Sequence, residues 1–288
     1  MTTRAEALFG PAGNCEAFHA AGNRSTVQVF AFLASHGLTA YEYQCGRGVR
    51  VSEEAAVAIR RQAEEYGITV SLHAPYFISL ASAEEDKRDN SIRYILDSAR
   101  AVSLMGGDRI VVHPGGLGGR GREEATALAT DTLLRAQQAL DAEGLSHVHI
   151  CPEVMGKINQ LGDLSEVLAF CQAEERFIPC VDFGHLNSRT GGTLTDAAAF
   201  GAVIDRMEQA IGRERVRCFH SHFSKIEYTV GGEKRHLTFT DTVFGPDPAP
   251  FTAMLAARRL TPTVICESAG TQTADAAAMQ RLYREKFA

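Results

Sequence analysis

Short apolar, β-branched runs alternate along the chain with longer Ala-, Glu- and Arg-rich segments of helical period, the arrangement of parallel strands joined by crossover helices. The runs that predict strands are Ala5–Phe9, Thr39–Tyr43, Ile68–Leu72, Arg109–Val112, His147–Cys151, Phe177–Val181, Val216–Phe219 and Thr263–Cys266. Between them, apolar positions at helical spacing predict helices over Glu53–Tyr66, Arg88–Met105, Glu123–Glu143, Asp163–Glu174, Thr195–Ile211 and Ala274–Lys286. Several of these open on a Ser, Thr or Asp able to cap the first turn. Eight evenly spaced alternations predict an α/β fold of the (β/α)8 barrel type, with a doubly wound open sheet as the structural alternative. No Pro/Ser linker, low-complexity tract or charge run divides the pattern, so residues 1–288 are read as a single barrel domain.

Composition changes this picture little. With 288 residues, 45% hydrophobic and 22% charged, the chain can bury a large core, and barrels of this type typically use about 250 residues. The formal net charge of -6 argues against a protein that coats nucleic acid by charge alone, but not against a local basic groove, and bound cations would offset carboxylates in a site. The seven cysteines form no C-x-x-C pair, and Cys151, Cys180, Cys218 and Cys266 sit in or at the end of apolar runs as small buried hydrophobes do. Together with the lack of an apolar segment after Met1 and of any run near the roughly 18 apolar residues of a membrane span, this predicts a reduced, cytoplasmic protein with no membrane partner.

The candidate chemistry lies just beyond the strands. His73 follows the third run in HAPYFISLAS, His113 the fourth in HPGG, and Glu153 the fifth in CPEVMGK. Asp182 and His185 follow the sixth in DFGH, His220 the seventh in HSHFSK, and Glu267 the eighth in ESAG. A single such residue is more often a loop or capping residue than a ligand. Six consecutive strands ending this way place a ring of carboxylates and imidazoles around one barrel mouth, and such a ring repels and desolvates itself unless a cation joins it. Imidazole with carboxylate suits zinc, manganese or iron(II), and the absence of clustered thiolates points to an open, water-bearing site rather than a structural zinc.

Taken in order, HAPY at His73–Tyr76, HPGG at His113–Gly116, PEVMG around Glu153, VDFGH at Val181–His185, H-x-x-x-S-K at His220–Lys225, RH at Arg235–His236 and CES around Glu267 resemble the endonuclease IV family of AP endonucleases, within the xylose-isomerase-like barrels. The resemblance implies a divalent-metal enzyme, zinc first, that cleaves DNA at abasic sites. It implies that His73 and His113 hold a first metal, that Glu153 bridges it to a second completed by Asp182, His220 and Glu267, and that His185 and His236 belong to a third. The family's third site also uses an Asp two residues before its second His, where this chain has Lys234. Two metals are therefore expected; the third is lost, or is replaced by a Lys234 contact to phosphate, or is rescued by Glu233 or His222. The family's DNA-contacting loop after the second strand is replaced by Tyr41–Arg50, and Tyr76 and Phe77 stand where the family wedges side chains into the gap left by a missing base.

Two functions fit these residues. In the first, Glu153 and Glu267 serve phosphodiester hydrolysis, with Tyr76, Lys225, Lys234 and Arg235 as substrate or phosphate contacts. In the second, a single-metal sugar or sugar-phosphate isomerase or epimerase uses Glu153, Asp182, His220 and Glu267, with paired glutamates moving a proton beside a carbonyl. A barrel that only binds a ligand or a partner is disfavoured, because an idle ring of ligands is costly to bury, and no obligate protein partner is evident.

Overall fold

The computed structural model describes residues 5–287. Eight parallel strands form its centre: β1 (Leu8–Pro11), β2 (Ala40–Gln44), β3 (Thr69–His73), β4 (Arg109–Val112), β5 (His149–Pro152), β6 (Cys180–Asp182), β7 (His220–Phe223) and, after an antiparallel hairpin of β8 (Ile226–Thr229) and β9 (Gly232–His236), β10 (Thr263–Cys266). They pair as β1-β10-β7-β6 and β2-β3-β4-β5, and single bridges between Ala12 and Glu42 and between Glu153 and Cys180 join the two sets, so the sheet closes on itself. The expected closed barrel is the observed one, and the open-sheet alternative is set aside.

The helices follow the strands in chain order: α1 (Glu16–Ala20), α2 (Val29–Ser35), α3 (Glu53–Tyr66), α4 (Glu85–Leu104), α5 (Arg122–Ala142), α6 (Leu164–Ala173), α7 (Phe183–Arg189), α8 (Ala197–Ile211), α9 (Arg213–Val216), α10 (Pro248–Ala257) and α11 (Gln272–Phe287). Helix α3 shows why the pattern was readable. Ser52 caps its first turn by accepting from the Ala55 N–H, Ala56, Ile59 and Ala63 form the buried stripe, and Gly67 ends it at φ 63°, where a side chain is disfavoured. Among the described residues, no helix is long and apolar enough to cross a membrane, and the seven cysteines are buried.

Four strands begin two to four residues later than the apolar runs suggest. The largest shift is at the seventh, where Val216 ends α9 and β7 is His220–Phe223. Burial near a barrel mouth does not require apolar side chains, because the last inward residues of a strand serve the site, so an apolar run stops before its strand does. The hairpin β8–β9 and helices α1, α2, α7, α9 and α10 carry little periodic apolar signal and were not anticipated.

The core beneath the sixth and seventh strands is aromatic. Phe183 packs on Phe251 at 4.6 Å between ring centres and on Phe200 at 5.4 Å, and Phe251 stacks on Phe223 at 5.0 Å. This cluster ties the start of α7 to β7, the two elements that carry His185 and His222. Where β1 passes β2, Gly10 lets the backbones approach so closely that an added Cβ would lie 1.7 Å from the Ala40 carbonyl oxygen. We expect Gly10→Ala to cost about 3 kcal/mol, because backbone must yield rather than a side chain end. Urea unfolding checks this, and a variant as stable as the parent would show that the strands separate there at little cost.

Candidate metal centre

Glu153 lies just beyond β5, fully buried, and four imidazoles face its carboxylate. His73 Nε2 and His113 Nε2 stand 3.3 and 3.0 Å from Oε2, while His185 Nδ1 and His222 Nδ1 stand 3.2 and 3.3 Å from Oε1. His73 is the last residue of β3, and its Nδ1 donates to the Ala74 carbonyl at 2.9 Å, which leaves Nε2 turned into the mouth only 3.2 Å from the His113 Nε2. His236, at the end of β9, pairs its Nδ1 with the Ser224 hydroxyl at 2.8 Å, so that its Nε2 also faces inward. One ring nitrogen anchored and the other presented is the usual support of a metal-ligating histidine.

Among the described residues five overlapping groups hold their ligand atoms within 4.8 Å of one another; besides His73 with His222 and Glu267, and Cys180 with His220 and His222, three donor sets follow one another across the mouth. The first is His73, His113 and Glu153; the second is Glu153, Asp182, His222 and Glu267; the third is His185, Glu233 and His236. Asp182 also caps α7, accepting from the His185 N–H at 2.8 Å, so one carboxylate both starts that helix and faces the second set. The buried Glu153 Oε2 and Asp182 Oδ2 have no hydrogen-bond partner. Buried carboxylate oxygens that face imidazole nitrogens at 3.0 to 3.3 Å without hydrogen-bonding geometry form donor sets for a cation, and the mixed nitrogen and oxygen donors suit a transition metal or zinc.

Electrostatics separates this group from its neighbour one layer down. Burial opposes charge on Glu153, yet His113 and His222 outweigh it and hold the carboxyl well below the ordinary range. Burial likewise opposes charge on His185, but Asp182, Glu153 and Glu233 lift the ring to about 10. His222 is raised well above the ordinary imidazole value, against burial, by Cys180, Glu267, Glu42 and Glu153. His220 behaves oppositely: burial pushes it down to about 4, the behaviour of a neutral core imidazole.

Of the residues singled out in the sequence, His73, His113, Glu153, Asp182, His185, His236 and Glu267 come together here. His220 groups instead with Cys180 and His222 one layer down, and His222 takes the position facing the second set. Because β7 starts at His220, both histidines point inward, but His220 lies deeper and donates from Nε2 to Glu42 Oε2 at 2.9 Å. Lys234 is not near the third set either. It lies on the outer side of the hairpin, half exposed, with Nζ paired to Glu227 Oε1, and Arg235 pairs with the same carboxylate, while Glu233 turns inward to 3.4 Å from the His185 Nε2. A bulge in the hairpin, where Glu227 pairs with Arg235 but Tyr228 with Glu233, leaves Lys234 as an extra residue and breaks the alternation, which gives the third set a carboxylate one residue before the position expected. Lys225 is buried, donating to the Asp241 carbonyl at 2.6 Å and paired with Asp247 at 2.8 Å, and so does not face the mouth.

A cavity of about 300 Å³ opens over the sets, lined by His73, Tyr76, His113, Lys157, Glu233, His236 and Glu267 among others. Tyr76 stands at its rim, 57% exposed, with its ring 5.3 Å from those of both His73 and His113. Phe77, equally exposed, packs on Tyr94 outside it. Two functional candidates escaped the sequence reading. Glu42, mid-strand in AYEYQ, is fully buried below the second set, its only signal being a carboxylate inside an apolar alternation; Lys157 sits in a loop held to the hairpin by a backbone bridge to Gly232.

Comparison with known proteins places this geometry. The family model described as a xylose isomerase-like TIM barrel matches residues 30–285. An uncharacterized protein of Methanocaldococcus jannaschii is 34% identical over 256 residues, covering 88% of this chain and 90% of its own. A probable endonuclease 4 of Geotalea daltonii is 30% identical over 186 residues, covering 62% of this chain and 64% of its own. Among solved structures, endonuclease IV of Thermus thermophilus superposes with a TM-score of 0.69 at 20% identity, covering 97% of this chain and 98% of its own. A D-tagatose 3-epimerase-like protein superposes with a TM-score of 0.71 at 18% identity, with the same coverage. At those identities the structures speak for the fold alone, whereas the family match spans most of the chain: it belongs to the xylose isomerase-like TIM barrel family.

Proposed function

We propose that the chain is a multinuclear metal-dependent phosphodiesterase of the endonuclease IV type, hydrolysing the DNA backbone at abasic sites. The observation that carries this reading is the single buried carboxylate of Glu153 shared by two donor sets, with a third set alongside it. A mononuclear enzyme needs neither His73 and His113 nor the His185, Glu233 and His236 set. Zinc is the first expectation for these donors, with manganese or iron also compatible. When bound, the metals supply Lewis-acid stabilisation of charge on a phosphate and a lowered pKa for water.

The chain's own residues divide the work. Glu153 joins the first and second sets, and Glu267, lining the cavity, orients the attacking water or the phosphate against them. Tyr76, standing over the first set, packs against the sugar at the missing base. Phosphate contact passes from Lys234, Arg235 and Lys225, all engaged with acidic or carbonyl partners, to Lys157 at the cavity wall.

The sugar isomerase or epimerase reading keeps one observation in its favour. The cavity has the volume of a monosaccharide site rather than of a duplex groove, with Glu153 and Glu267 both at the second set. Duplex DNA carrying a stable abasic-site analogue separates the two. Incision by zinc- or manganese-loaded protein is expected, with Glu153→Gln reducing it on the order of 10^3-fold. No incision with either metal would overturn the nuclease reading in favour of the sugar one.

Metal content tests the donor sets independently of substrate. His113→Ala and Glu233→Ala should each lower bound metal by about one ion per chain, measured by elemental analysis after dialysis. Lys234→Ala should leave the content unchanged; a drop would return Lys234 to the third site.

A further inference from the structure

We infer that Arg189 is a positioning residue for the cavity wall: its guanidinium gathers the loop after β5 and so places Lys157 where it meets a substrate phosphate. The inference rests on the reading of Lys157 as phosphate contact given above. Arg189 ends α7, four residues after His185 and so on the same face of that helix. Its Nη1 donates to the carbonyls of Met155 at 3.3 Å and Lys157 at 2.6 Å, and its Nη2 to those of Ile158 at 3.3 Å and Gln160 at 3.4 Å. Among the described residues its guanidinium pairs with no carboxylate, so these carbonyls are its hydrogen-bond partners.

The loop it holds has little structure of its own. Residues 155–160 form no helix or ladder, only single bridges from Lys157 to Gly232 and from Gln160 to Gly116, so their carbonyls need donors from elsewhere. A guanidinium presents five N–H donors in one rigid plane and suits several converging oxygens, whereas an ammonium is a compact point. Arg122, at the start of α5, donates to the Ile158 and Gln160 carbonyls at 3.1 and 3.0 Å and is itself held by both Glu166 oxygens at 2.7 Å. Arg189 differs in reaching the carbonyl of Lys157 itself. On its other side the loop is bound to the hairpin, where the Glu233 N–H donates to the Gly156 carbonyl and the Ile158 N–H to the Gly231 carbonyl, each at 3.2 Å. Met155, Lys157 and Gln160 line the cavity and Arg189 does not, so it reaches the substrate space only through this loop.

Steady-state incision of duplex DNA carrying a stable abasic-site analogue, with metal content measured alongside, compares zinc-loaded wild type, Arg189→Ala, Lys157→Ala and the double variant. Each single variant should raise KM about 10-fold, and the double variant should stay within about two-fold of them, because both changes remove one contact. A merely structural role for Arg189 lowers the active fraction, and hence kcat, at wild-type KM. That outcome overturns the inference, as does a wild-type KM in Lys157→Ala or a double variant near about 100-fold, in which independent effects multiply. Loss of an ion from Arg189→Ala also overturns it, since the residue then acts through the third donor set. Should Arg189→Ala not fold, Arg189→Lys keeps the charge without the planar fork, and a wild-type KM there is equally adverse. Hydrogen exchange needs no substrate: amides of residues 157–160 should exchange on the order of 10-fold faster in Arg189→Ala while those of β3 and β4 stay as in wild type, and unchanged loop rates overturn the inference. A wild type that incises nothing defeats the nuclease reading instead, and the exchange rates then decide by themselves whether Arg189 sets the loop.

Discussion

The mouth of this barrel depends on one buried charge. A carboxylate removed from water is costly unless opposite charge and hydrogen bonding surround it, and Glu153 is fully buried with four imidazoles around it. Those imidazoles arrive from β3, from just beyond β4, from α7 following β6 and from β7, so satisfying one side chain ties together four neighbouring parts of the mouth. The aromatic cluster below α7 and β7 supplies the rigid support that keeps two of the rings in place.

Compensation here reaches deeper than the mouth. Glu42, Ser71 and His220 form a second polar layer beneath the mouth, and Glu42 also lies 2.9 Å from His222. The hydrogen bonds that Glu42 accepts from Ser71 and His220 specify side-chain orientations in a way that apolar packing does not. The two layers together explain why β7 spends both of its inward positions on histidine.

Much of this was legible in the sequence. Strand and helix alternation gave the barrel because amphipathic helices such as α3 carry their periodicity, caps and terminal glycine openly. Seven of the expected ligand residues meet because barrel strand ends converge whatever their precise bounds. The confusion of His220 with His222 arose from ending the seventh strand where hydrophobicity ended, and a two-residue slip keeps the face of the sheet while changing the depth. Glu233 stood only as one of two substitutes for the position of Lys234, because the bulge that turns it inward leaves no mark in so polar a strand as β9, and Glu42 was missed because a buried ion has no periodic signature at all.

The hairpin that follows β7 gives the centre a built-in inequality. The first two donor sets sit on strand ends locked into the closed sheet, whereas Glu233 and His236 belong to a two-stranded hairpin outside it, packed on α7 and joined to the loop after β5 by the Lys157–Gly232 bridge. Local opening of such a hairpin breaks few contacts compared with opening the barrel. On the proposed reading, the third ion is therefore the exchangeable one: it can leave and return while the other two stay, so that at limiting metal the enzyme would pass through a partly loaded form with its fold intact.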